Sequence, residues 1–324
     1  MMTSSYTDPS QLHTPVLLDR CLELLAPVAS EPGAVIVDAT LGMGGHSAAL
    51  LQQHPQLTVI GLDRDPQALE LAGQRLAPFG ERAIRVHAVY DEIADVVRQA
   101  GYRRVDGVLF DLGVSSLQLD AAERGFAYAQ DAPLDMRMNQ SAGETAADVL
   151  ANASEGRLRA IFERYGEEPL AARYARAIIA ARETAPITRS GQLVDILQGA
   201  TPAALRDQRH PAKRVFQALR VEVNAELRAL ERAIPAALGL LRVGGRIVVM
   251  SYQSLEDRFV KRELARRSTS TAPAGLPVEL PEHRPELTSL TRGAELASES
   301  ERAENPRAIP VRLRAAERVR EVRG

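Results

Sequence analysis

Short apolar runs that alternate with helical segments dominate the first third of the chain. Each run is short enough for a single strand, and the segments between the runs carry the apolar spacing of helices. The four runs are AVIVDAT (34–40), LTVIGLD (57–63), AIRVHAVY (83–90) and VDGVLFDLG (105–113). Strands that alternate with helices indicate a parallel sheet covered on both faces, in a doubly wound α/β fold. Ligands of such folds bind at the carboxyl ends of the strands.

The pattern of apolar residues changes after the fourth run. From about residue 117 to 212 the periodicity is helical, with almost no strand signal. The stretch VFQALRVEVNAELRALERAIPAALGLL (215–241) is predicted as one long amphipathic helix, and a glycine pair and the strand RIVVMSY follow it. We therefore predict a sheet domain in two parts, residues 1–116 and 213–324, interrupted by an all-helical domain at 117–212 that recognises the substrate.

The last part of the chain carries two weaker signals. Residues 268–307 are rich in Ser, Thr, Pro and Glu and lack periodicity, so we expect a long loop there. The following AIPVRLRAAERVR alternates like a strand at its start. We expect this segment to add a final antiparallel strand at the edge of the sheet.

Composition excludes several classes of protein. No apolar run reaches the roughly 20 residues that span a bilayer, and the polar first residues lack the order of a secretory signal. We therefore expect a cytoplasmic protein without membrane contact. The single Cys21 forms neither an internal disulfide nor a thiolate metal cluster, and we predict no bound metal. Lys213 and Lys261 are the only lysines among 40 basic residues, and arginine suits phosphate and base edges.

A glycine-rich turn, VDATLGMGGHS, separates the first strand from the next helix. Gly42, Gly44 and Gly45 leave bare backbone whose N–H groups can face a ligand, which is typical of nucleotide sites. Asp63 ends the second strand, where a carboxylate can accept both hydroxyls of an adenosine ribose. The third and fourth strands end at Tyr90 and Asp111. We predict that these strand ends converge on one adenosine-bearing cofactor.

Two adenosine cofactors compete for this turn. In the nicotinamide dinucleotide pattern G-x-G-x-x-G, starting from Gly42, the last glycine would fall at Ser47, and Asp38 ahead of the turn would repel a pyrophosphate. S-adenosylmethionine carries no phosphate and presents a sulfonium and an amino group, so nearby carboxylates favour it. We predict S-adenosylmethionine as the cofactor and keep a dinucleotide-dependent oxidoreductase as the alternative.

Several motifs together resemble the bacterial RsmH (MraW) methyltransferases. The longest, FDLGVSSLQLDAAERGFAYAQDAPLDMRM, spans residues 110–138, and the set keeps the family's order from about His13 to Arg318. The others are HTPVLLDRCLELL, DATLGMGGHS, GLDRDPQAL, RVFQALRVEVNAEL, SLEDRFVK and ENPRA. The resemblance implies a Rossmann-like methyltransferase domain with a helical insertion after the fourth strand. It also implies methylation of the exocyclic N4 of a cytidine in small-subunit ribosomal RNA, near the decoding centre, within the assembled subunit.

The resemblance also implies roles for individual residues. By position, the cofactor-binding set comprises Gly44, Gly45, His46, Asp63, Tyr90, Asp111 and Gln118. Departures from the family's usual residues are Tyr90 for Phe, Leu117 for Pro, Tyr252 for Phe and Gln253 for His. Gln253 cannot titrate, so we assign it no acid–base role. His46 starts a helix, whose dipole disfavours the protonated ring, and we expect it to be an oriented hydrogen-bonding group rather than a catalyst.

The chemistry of methyl transfer limits the candidate catalytic groups. In-line displacement from an activated donor needs geometry more than a strong base, and the amino group needs a hydrogen-bond acceptor as its nitrogen rehybridises. Asp111 is the predicted catalytic residue, with cofactor binding alone as the alternative. Methylation of pyrimidine C5 needs a cysteine nucleophile, and Cys21 lies in the N-terminal helix, away from the strand ends. A non-catalytic RNA-binding assembly factor remains a third hypothesis.

The expected partner is the ribosomal RNA of the small subunit, and we infer no obligatory protein partner. The target cytidine must leave its stack, so we expect it to be flipped and held between the sheet edge and the helical insertion. The aromatic candidates for stacking are Phe126, Tyr128, Tyr165 and Tyr174, most of which we expect in the core. The candidate phosphate contacts are Arg124, Arg137, Arg209, Lys213 and Arg214, with Arg307, Arg312 and Arg314 in the tail.

Overall fold

The computed structural model describes residues 15–206, 210–273 and 280–321. This part of the chain divides into two compact units. The sheet unit comprises the residues up to Gly113 and those from Arg228 onward, and the helical unit comprises Val114–Leu227. Arg209 lies outside the described residues.

The sheet unit is built on one seven-stranded sheet of order β3-β2-β1-β4-β5-β7-β6. Its strands are β1 (Val35–Asp38), β2 (Thr58–Asp63), β3 (Ala83–His87), β4 (Val105–Asp111), β5 (Leu241–Ser251), β6 (Leu287–Ser289) and β7 (Arg312–Arg318). Strands β1 to β5 pair in parallel, whereas β7 is antiparallel to both β5 and β6. The predicted doubly wound, mostly parallel sheet is confirmed, and all four strands of the first third lie within the predicted runs.

Helices connect the strands and form the helical unit. They are α1 (Leu18–Ala29), α2 (Gly45–Gln53), α3 (Pro66–Leu76), α4 (Ile93–Gln99), α5 (Ser116–Asp120), α6 (Ala146–Asn152), α7 (Glu155–Gly166), α8 (Ala171–Thr184), α9 (Ser190–Ala200), α10 (Ala203–Arg206), α11 (Ala212–Val223), α12 (Glu226–Leu240), α13 (Ser254–Arg267) and α14 (Glu299–Glu304). Start signals are visible in the sequence: Asp65 accepts a hydrogen bond from the N–H of Gln67, and Pro66 opens α3.

Each unit buries its own apolar core. Every residue of β1 is buried, as is usual in a sheet covered on both faces, and Leu25 of α1 joins the same core. In the helical unit Phe162, Tyr174 and Leu219 lie at the centre of a second core. No helix in the described ranges is both long and apolar enough to cross a membrane.

The prediction of one long helix at 215–241 is wrong, because the structure has two helices there, α11 and α12. Ala225 adopts a left-handed backbone with φ 51°, which ends the helical run. The buried side chain of Asn224 donates to the carbonyl of Met136 at 2.8 Å and accepts from the N–H of Met138 at 2.8 Å. The side chain is therefore used to hold a distant loop, and helix α11 belongs to the helical unit, beyond the expected boundary at residue 212.

Two expectations for the end of the chain also differ from the structure. The expected loop 268–307 contains β6 and α14, although its residues 274–279 lie outside the described part. The tail does form an antiparallel strand, β7, but β6 pairs on its outer side, so β7 is not the edge. A three-residue strand is too short to leave a periodic signal, because two of its side chains fall on one face and only one on the other.

Candidate functional site

The carboxyl ends of β1, β2 and β4 bring three aspartates to one edge of the sheet. Asp38, Asp63 and Asp111 are the last residues of these strands, which are neighbours in the order β2-β1-β4. Thr40 links two of the strand ends, because its Oγ1 accepts a hydrogen bond from the N–H of Asp111 at 2.6 Å. Three of the strand ends thus lie side by side within the sheet unit.

The glycine turn after β1 has two separate needs for glycine. Gly42 and Gly44 adopt left-handed conformations, with φ 52° and 76°, which a side chain would strain. Gly45 instead opens α2, and a Cβ atom there would lie 2.5 Å from Cγ of Pro15. The turn therefore requires bare backbone partly for its conformation and partly because Pro15 packs against it.

Asp63 is anchored to the glycine turn through its backbone. Its Oδ2 accepts from the N–H of Gly42 at 2.7 Å, and its Oδ1 accepts from the N–H of Asp65 at 2.8 Å. Burial raises the pKa of Asp63 to about 6, although both backbone bonds oppose this shift. Each carboxylate oxygen has two lone pairs, so these bonds leave acceptor capacity for hydroxyl groups of a ribose.

Asp38 is a buried carboxyl group tied to the start of α2. Its Oδ2 accepts a hydrogen bond of 2.6 Å from the hydroxyl of Ser47, and its Oδ1 accepts from the N–H of Thr40 at 3.3 Å. Burial raises its pKa to about 6, and the bond from Ser47 opposes the shift. Ser47, the position that broke the dinucleotide pattern, thus holds the acidic residue ahead of the turn.

His46 is buried in α2 and held in one orientation. Its Nε2 lies 3.1 Å from the carbonyl oxygen of Val16, and because a carbonyl only accepts, Nε2 carries the proton. Burial lowers the pKa of His46, so the neutral ring is favoured and Nδ1 presents a bare lone pair. Nδ1 lies 4.0 Å from Oδ2 of Asp111. Two acceptors that face each other in this way suit an N–H donor between them.

Asp111 is held from its other side by Tyr252. The phenolic hydroxyl donates to Oδ1 of Asp111 at 2.7 Å. The backbone N–H groups of Tyr252 and Gln253 both donate to Oε2 of Glu256, which fixes the start of α13. Gln253 serves as a helix cap, with its amide donating to Oε1 of Glu256 at 2.9 Å.

The remaining residues of the predicted cofactor set lie in different places. Tyr90 is half-buried just after β3, and its ring meets Phe110 edge-on at 6.0 Å between centroids. Gln118 lies in the helical unit, where it forms a capping box with Ser115 at the start of α5. Gly44, His46, Asp63 and Asp111 gather at the strand ends, and cofactor binding by these residues, as by Gln118, stays a prediction.

The residues at the strand ends fit S-adenosylmethionine better than a dinucleotide. Three carboxyl groups, of Asp38, Asp63 and Asp111, would repel a pyrophosphate but attract a sulfonium and an amino group. Nδ1 of His46 adds a further acceptor. Asp63, at the end of β2, has the chemistry to hold ribose hydroxyls.

Several predicted RNA contacts serve the fold of the helical unit. Arg124 is 1% exposed, and its guanidinium donates to the carbonyls of Arg137 at 3.1 Å and Met138 at 2.7 Å. The expected phosphate contact therefore does not hold for Arg124, because its guanidinium is buried against backbone. Arg137 forms an ion pair with Asp135 through two bonds of 2.8 Å. In the sheet unit, the tail residue Arg314 is likewise engaged, with Asp257 at 2.7 Å.

The aromatic candidates follow the expectation that most are core residues. Phe126, Tyr165 and Tyr174 are buried in the helical unit. Tyr128 is half-buried and stacks on the exposed His210 with 4.4 Å between ring centroids. Lys213 is exposed, and half-buried Arg214 donates to the carbonyl of Glu167 at 2.6 Å. Of these residues, the Tyr128–His210 pair and Lys213 lie at the surface.

Sequence reasoning did not assign a role to Tyr252, Ser47 or Val16. From the sequence, Tyr252 is only the last residue of the predicted strand RIVVMSY and a departure from the family pattern, although a strand end is itself a usable signal. Ser47 is the third residue of α2 and carries a hydroxyl towards Asp38. Val16 acts through its backbone carbonyl, for which the sequence carries no signal.

Comparison with known proteins agrees with the geometry. The profile described as the MraW methylase family matches residues 10–319. A ribosomal RNA small subunit methyltransferase H from Leifsonia xyli subsp. xyli is 68% identical over 309 residues, which cover 95% of each chain. Proteins of the same name from Clavibacter michiganensis subsp. michiganensis and Saccharopolyspora erythraea are 66% and 63% identical, over 95% of this chain and 97% and 94% of theirs. The chain therefore belongs to the MraW methylase family, and it is a methyltransferase that uses S-adenosylmethionine as its cofactor.

Proposed function

We propose that this protein methylates the exocyclic N4 of a cytidine in small-subunit ribosomal RNA, near the decoding centre. The names of its relatives support ribosomal RNA as the substrate class. The orientation of Asp111 carries the proposal for the chemistry: Oδ1 accepts from Tyr252 at 2.7 Å, and Oδ2 faces Nδ1 of His46 at 4.0 Å. A carboxylate held in this way is a fixed acceptor at the strand end.

An amino group is the acceptor nucleophile that this arrangement suits. The cofactor supplies a methyl group that is already activated by its sulfonium, so the protein needs no strong base. Oδ2 of Asp111 accepts an N–H of the cytosine amino group and offsets positive charge as that nitrogen rehybridises. Nδ1 of His46, also an acceptor, holds an amino group of the cofactor or of the substrate. In both roles the residues bind and orient, and neither is required to take a proton first. The new N–C bond would replace the C–S bond of the donor, and the methylated nitrogen would then lose one proton to water.

The environment of the one cysteine argues against methylation of carbon. Cys21, the only cysteine in the sequence, lies closer to the strand ends than expected, with its Sγ 3.7 Å from Sδ of Met250 near the end of β5. It is nevertheless only 1% exposed within α1. Burial and the charges of Asp111 and Asp38 raise the pKa of the thiol well above its usual value. Methylation of pyrimidine C5 requires a thiolate that attacks C6, which a buried, protonated thiol does not provide.

The helical unit is proposed to recognise the RNA. Lys213 is exposed, and the ring pair Tyr128–His210 presents a partly exposed stacking surface. If Lys213 contacts a phosphate, removal of its charge would reduce the slope of log affinity against log salt concentration by about one. Stacking of a base on the ring pair would contribute roughly 1–3 kcal/mol. The assembled small subunit is the proposed form of the substrate.

The test uses small subunits, and free small-subunit RNA, from a strain that lacks this protein. Both are incubated with enzyme and S-adenosylmethionine, and nuclease digests are analysed by mass spectrometry. The expected product is N4-methylcytidine, formed with assembled subunits and not with free RNA. A new methyl group on carbon or on ribose would refute the N4 assignment. Asp111→Ala is expected to abolish methylation while RNA binding is kept, and loss of RNA binding in this variant would contradict the role given to Asp111.

A further inference from the structure

The peptide unit between Val16 and Leu17 uses both of its polar groups to contact distant residues. Its carbonyl oxygen, on Val16, accepts from Nε2 of His46 at 3.1 Å. Its N–H, on Leu17, donates to Oε1 of Glu301 in α14 at 2.7 Å. Glu301 is 284 residues further along the chain, in the segment for which the sequence predicts a loop. One peptide unit thus connects a carboxylate near the end of the chain to the histidine beside Asp111.

The geometry of a peptide bond makes this connection rigid. The atoms of the unit are coplanar, and in the trans form the N–H and C=O point in opposite directions. A carboxylate that holds the N–H of Leu17 therefore also sets the direction of the carbonyl of Val16. A charged acceptor on the N–H side also polarises the amide, which strengthens the carbonyl as an acceptor for His46.

The backbone at Leu17 is strained in a way that needs such support. Leu17 has φ 51° and ψ 33°, a left-handed conformation that is costly for leucine and persists where surrounding contacts impose it. It is also the residue before α1, and its own side chain provides no cap. Glu301 supplies the missing acceptor at this helix start, where negative charge is favourable. Arg20 and Glu295 add a second link between α1 and the segment before α14, with bonds of 2.7 and 2.9 Å.

The orientation of His46 depends on this peptide. A directed carbonyl at Val16 keeps the proton on Nε2, and the lone pair of Nδ1 then faces Oδ2 of Asp111 at 4.0 Å. Without a fixed acceptor at Val16, either ring nitrogen could carry the proton, and a proton on Nδ1 would be drawn to Asp111. The acceptor on His46 would then be lost to any ligand.

We propose that Glu301 is a positioning residue, which selects the tautomer of His46 through the Val16–Leu17 peptide and so prepares the acceptor pair of His46 and Asp111. The inference rests on the proposed function for the importance of that pair, but the link to the tautomer is independent of it. Glu301 touches neither Asp111 nor the ring of His46 in the described contacts, and acts through the backbone.

The experiment compares Glu301→Ala and Glu301→Gln with Glu304→Ala, which removes an exposed carboxylate from the same helix. The tautomer is read from long-range ¹H–¹⁵N spectra of the ¹⁵N-labelled full-length protein, with the His46 signals identified by their loss in His46→Gln. The affinity for S-adenosylhomocysteine is measured by calorimetry, and the melting temperature reports stability.

In Glu301→Ala, the ¹⁵N chemical shifts of the His46 ring are expected to be those of a mixture of the two tautomers. Binding of S-adenosylhomocysteine is expected to weaken about tenfold. Glu301→Gln keeps an oxygen acceptor, so the tautomer is expected to remain and binding to weaken about threefold. Glu304→Ala should match the wild type in both measurements. If the Ala variant does not fold, the test rests on the affinity of the Gln variant for S-adenosylhomocysteine.

Two results would overturn the proposal. One is an unchanged His46 spectrum in Glu301→Ala, and the other is an equal change in Glu304→Ala. If the Ala variant does not fold, these two results are replaced by one: an unchanged affinity of Glu301→Gln for S-adenosylhomocysteine would overturn the proposal. If the wild-type protein binds S-adenosylhomocysteine but forms no N4-methylcytidine, while Glu301→Ala shows the tautomer change, the proposed function is refuted and the role of Glu301 stands.

Discussion

The phenolic hydroxyl of Tyr252 donates a hydrogen bond of 2.7 Å to Oδ1 of Asp111, and this bond joins the ends of the neighbouring strands β4 and β5. Burial and the charge of Asp111 raise the pKa of Tyr252 well above its usual value, so the hydroxyl keeps its proton. The bond therefore has one direction, with tyrosine as donor. It leaves Oδ2 of Asp111 as the oxygen that faces His46.

Tyr252→Phe removes this hydroxyl and little else. We expect kcat to fall about tenfold, because a carboxylate that loses one hydrogen bond is less well oriented, while the Kd for the cofactor changes less than about twofold. Steady-state kinetics together with calorimetry separate the two effects. Tyr102→Phe, three residues before β4 begins and so away from its carboxyl end, is the matched control and should leave kcat unchanged. An equal loss in both variants would contradict the role of the hydroxyl.

Cofactor binding is expected to weaken as the pH falls through about 6. Burial raises the pKa of Asp63 to about 6, so the carboxylate that accepts ribose hydroxyls is largely lost at about pH 5. Asp63→Asn should bind S-adenosylhomocysteine about tenfold more weakly at neutral pH. Its affinity should then vary with pH only through Asp38, whose pKa is also about 6. Calorimetry at several pH values checks this. Wild-type affinity that does not vary with pH would contradict it.

The same shift has the opposite consequence for the stability of the protein without cofactor. Because the pKa of Asp63 is raised on folding, the folded state binds more protons than the unfolded state between about pH 4 and pH 6. The contribution of Asp63 to the free energy of unfolding therefore decreases as the pH rises through this window. Charged Arg64 and Asp65 lie next to it in the chain and shift its pKa in opposite directions. Urea unfolding of wild type and Asp63→Asn at about pH 4 and pH 7 measures the difference.

Substitution of Arg124 is expected to lower stability, whereas substitution of Lys213 is expected to weaken RNA binding. Arg124→Ala leaves the carbonyls of Arg137 and Met138 without this donor and should lower the free energy of unfolding by about 2 kcal/mol, measured by urea denaturation. Lys213→Ala should leave stability within about 0.5 kcal/mol and weaken RNA binding with a smaller salt slope. Normal stability of Arg124→Ala with impaired RNA binding would restore the original prediction for this residue.

Cys21→Ala separates methylation of the amino group from methylation of carbon. The thiol is buried, so its removal should cost about 1 kcal/mol of stability and leave kcat within about twofold. Methyl incorporation into small subunits is the measurement, with thermal unfolding alongside. Complete loss of methylation by a stable Cys21→Ala protein would point to a thiol nucleophile.

Much of the sheet unit could be predicted because its signals are local. Strands β1 to β4 correspond to apolar runs of only a few residues. Each run is followed directly by residues that indicate a turn or the start of a helix. The glycine turn, Asp63 and Asp111 follow from this, since parallel strands bring their carboxyl ends to one edge. The cofactor class followed from the acidic character of that edge.

Contacts between distant parts of the chain decided the rest. Asn224 ends α11 and turns its side chain to residues 86 and 88 positions earlier, so an apolar pattern that continues through it predicted one helix where there are two. Arg124 is buried against backbone carbonyls, which no sequence pattern marks.

The sequence by itself determined the order of strands and helices in the first third, the glycine turn and the acids of the strand ends, because these depend on the spacing of near neighbours. Only the tertiary structure decided which oxygen of Asp111 is held by Tyr252 and which nitrogen of His46 carries the proton. The physical reason is that hydrogen-bond direction depends on where a partner lies in space, and in the case of Glu301 that partner is 284 residues away.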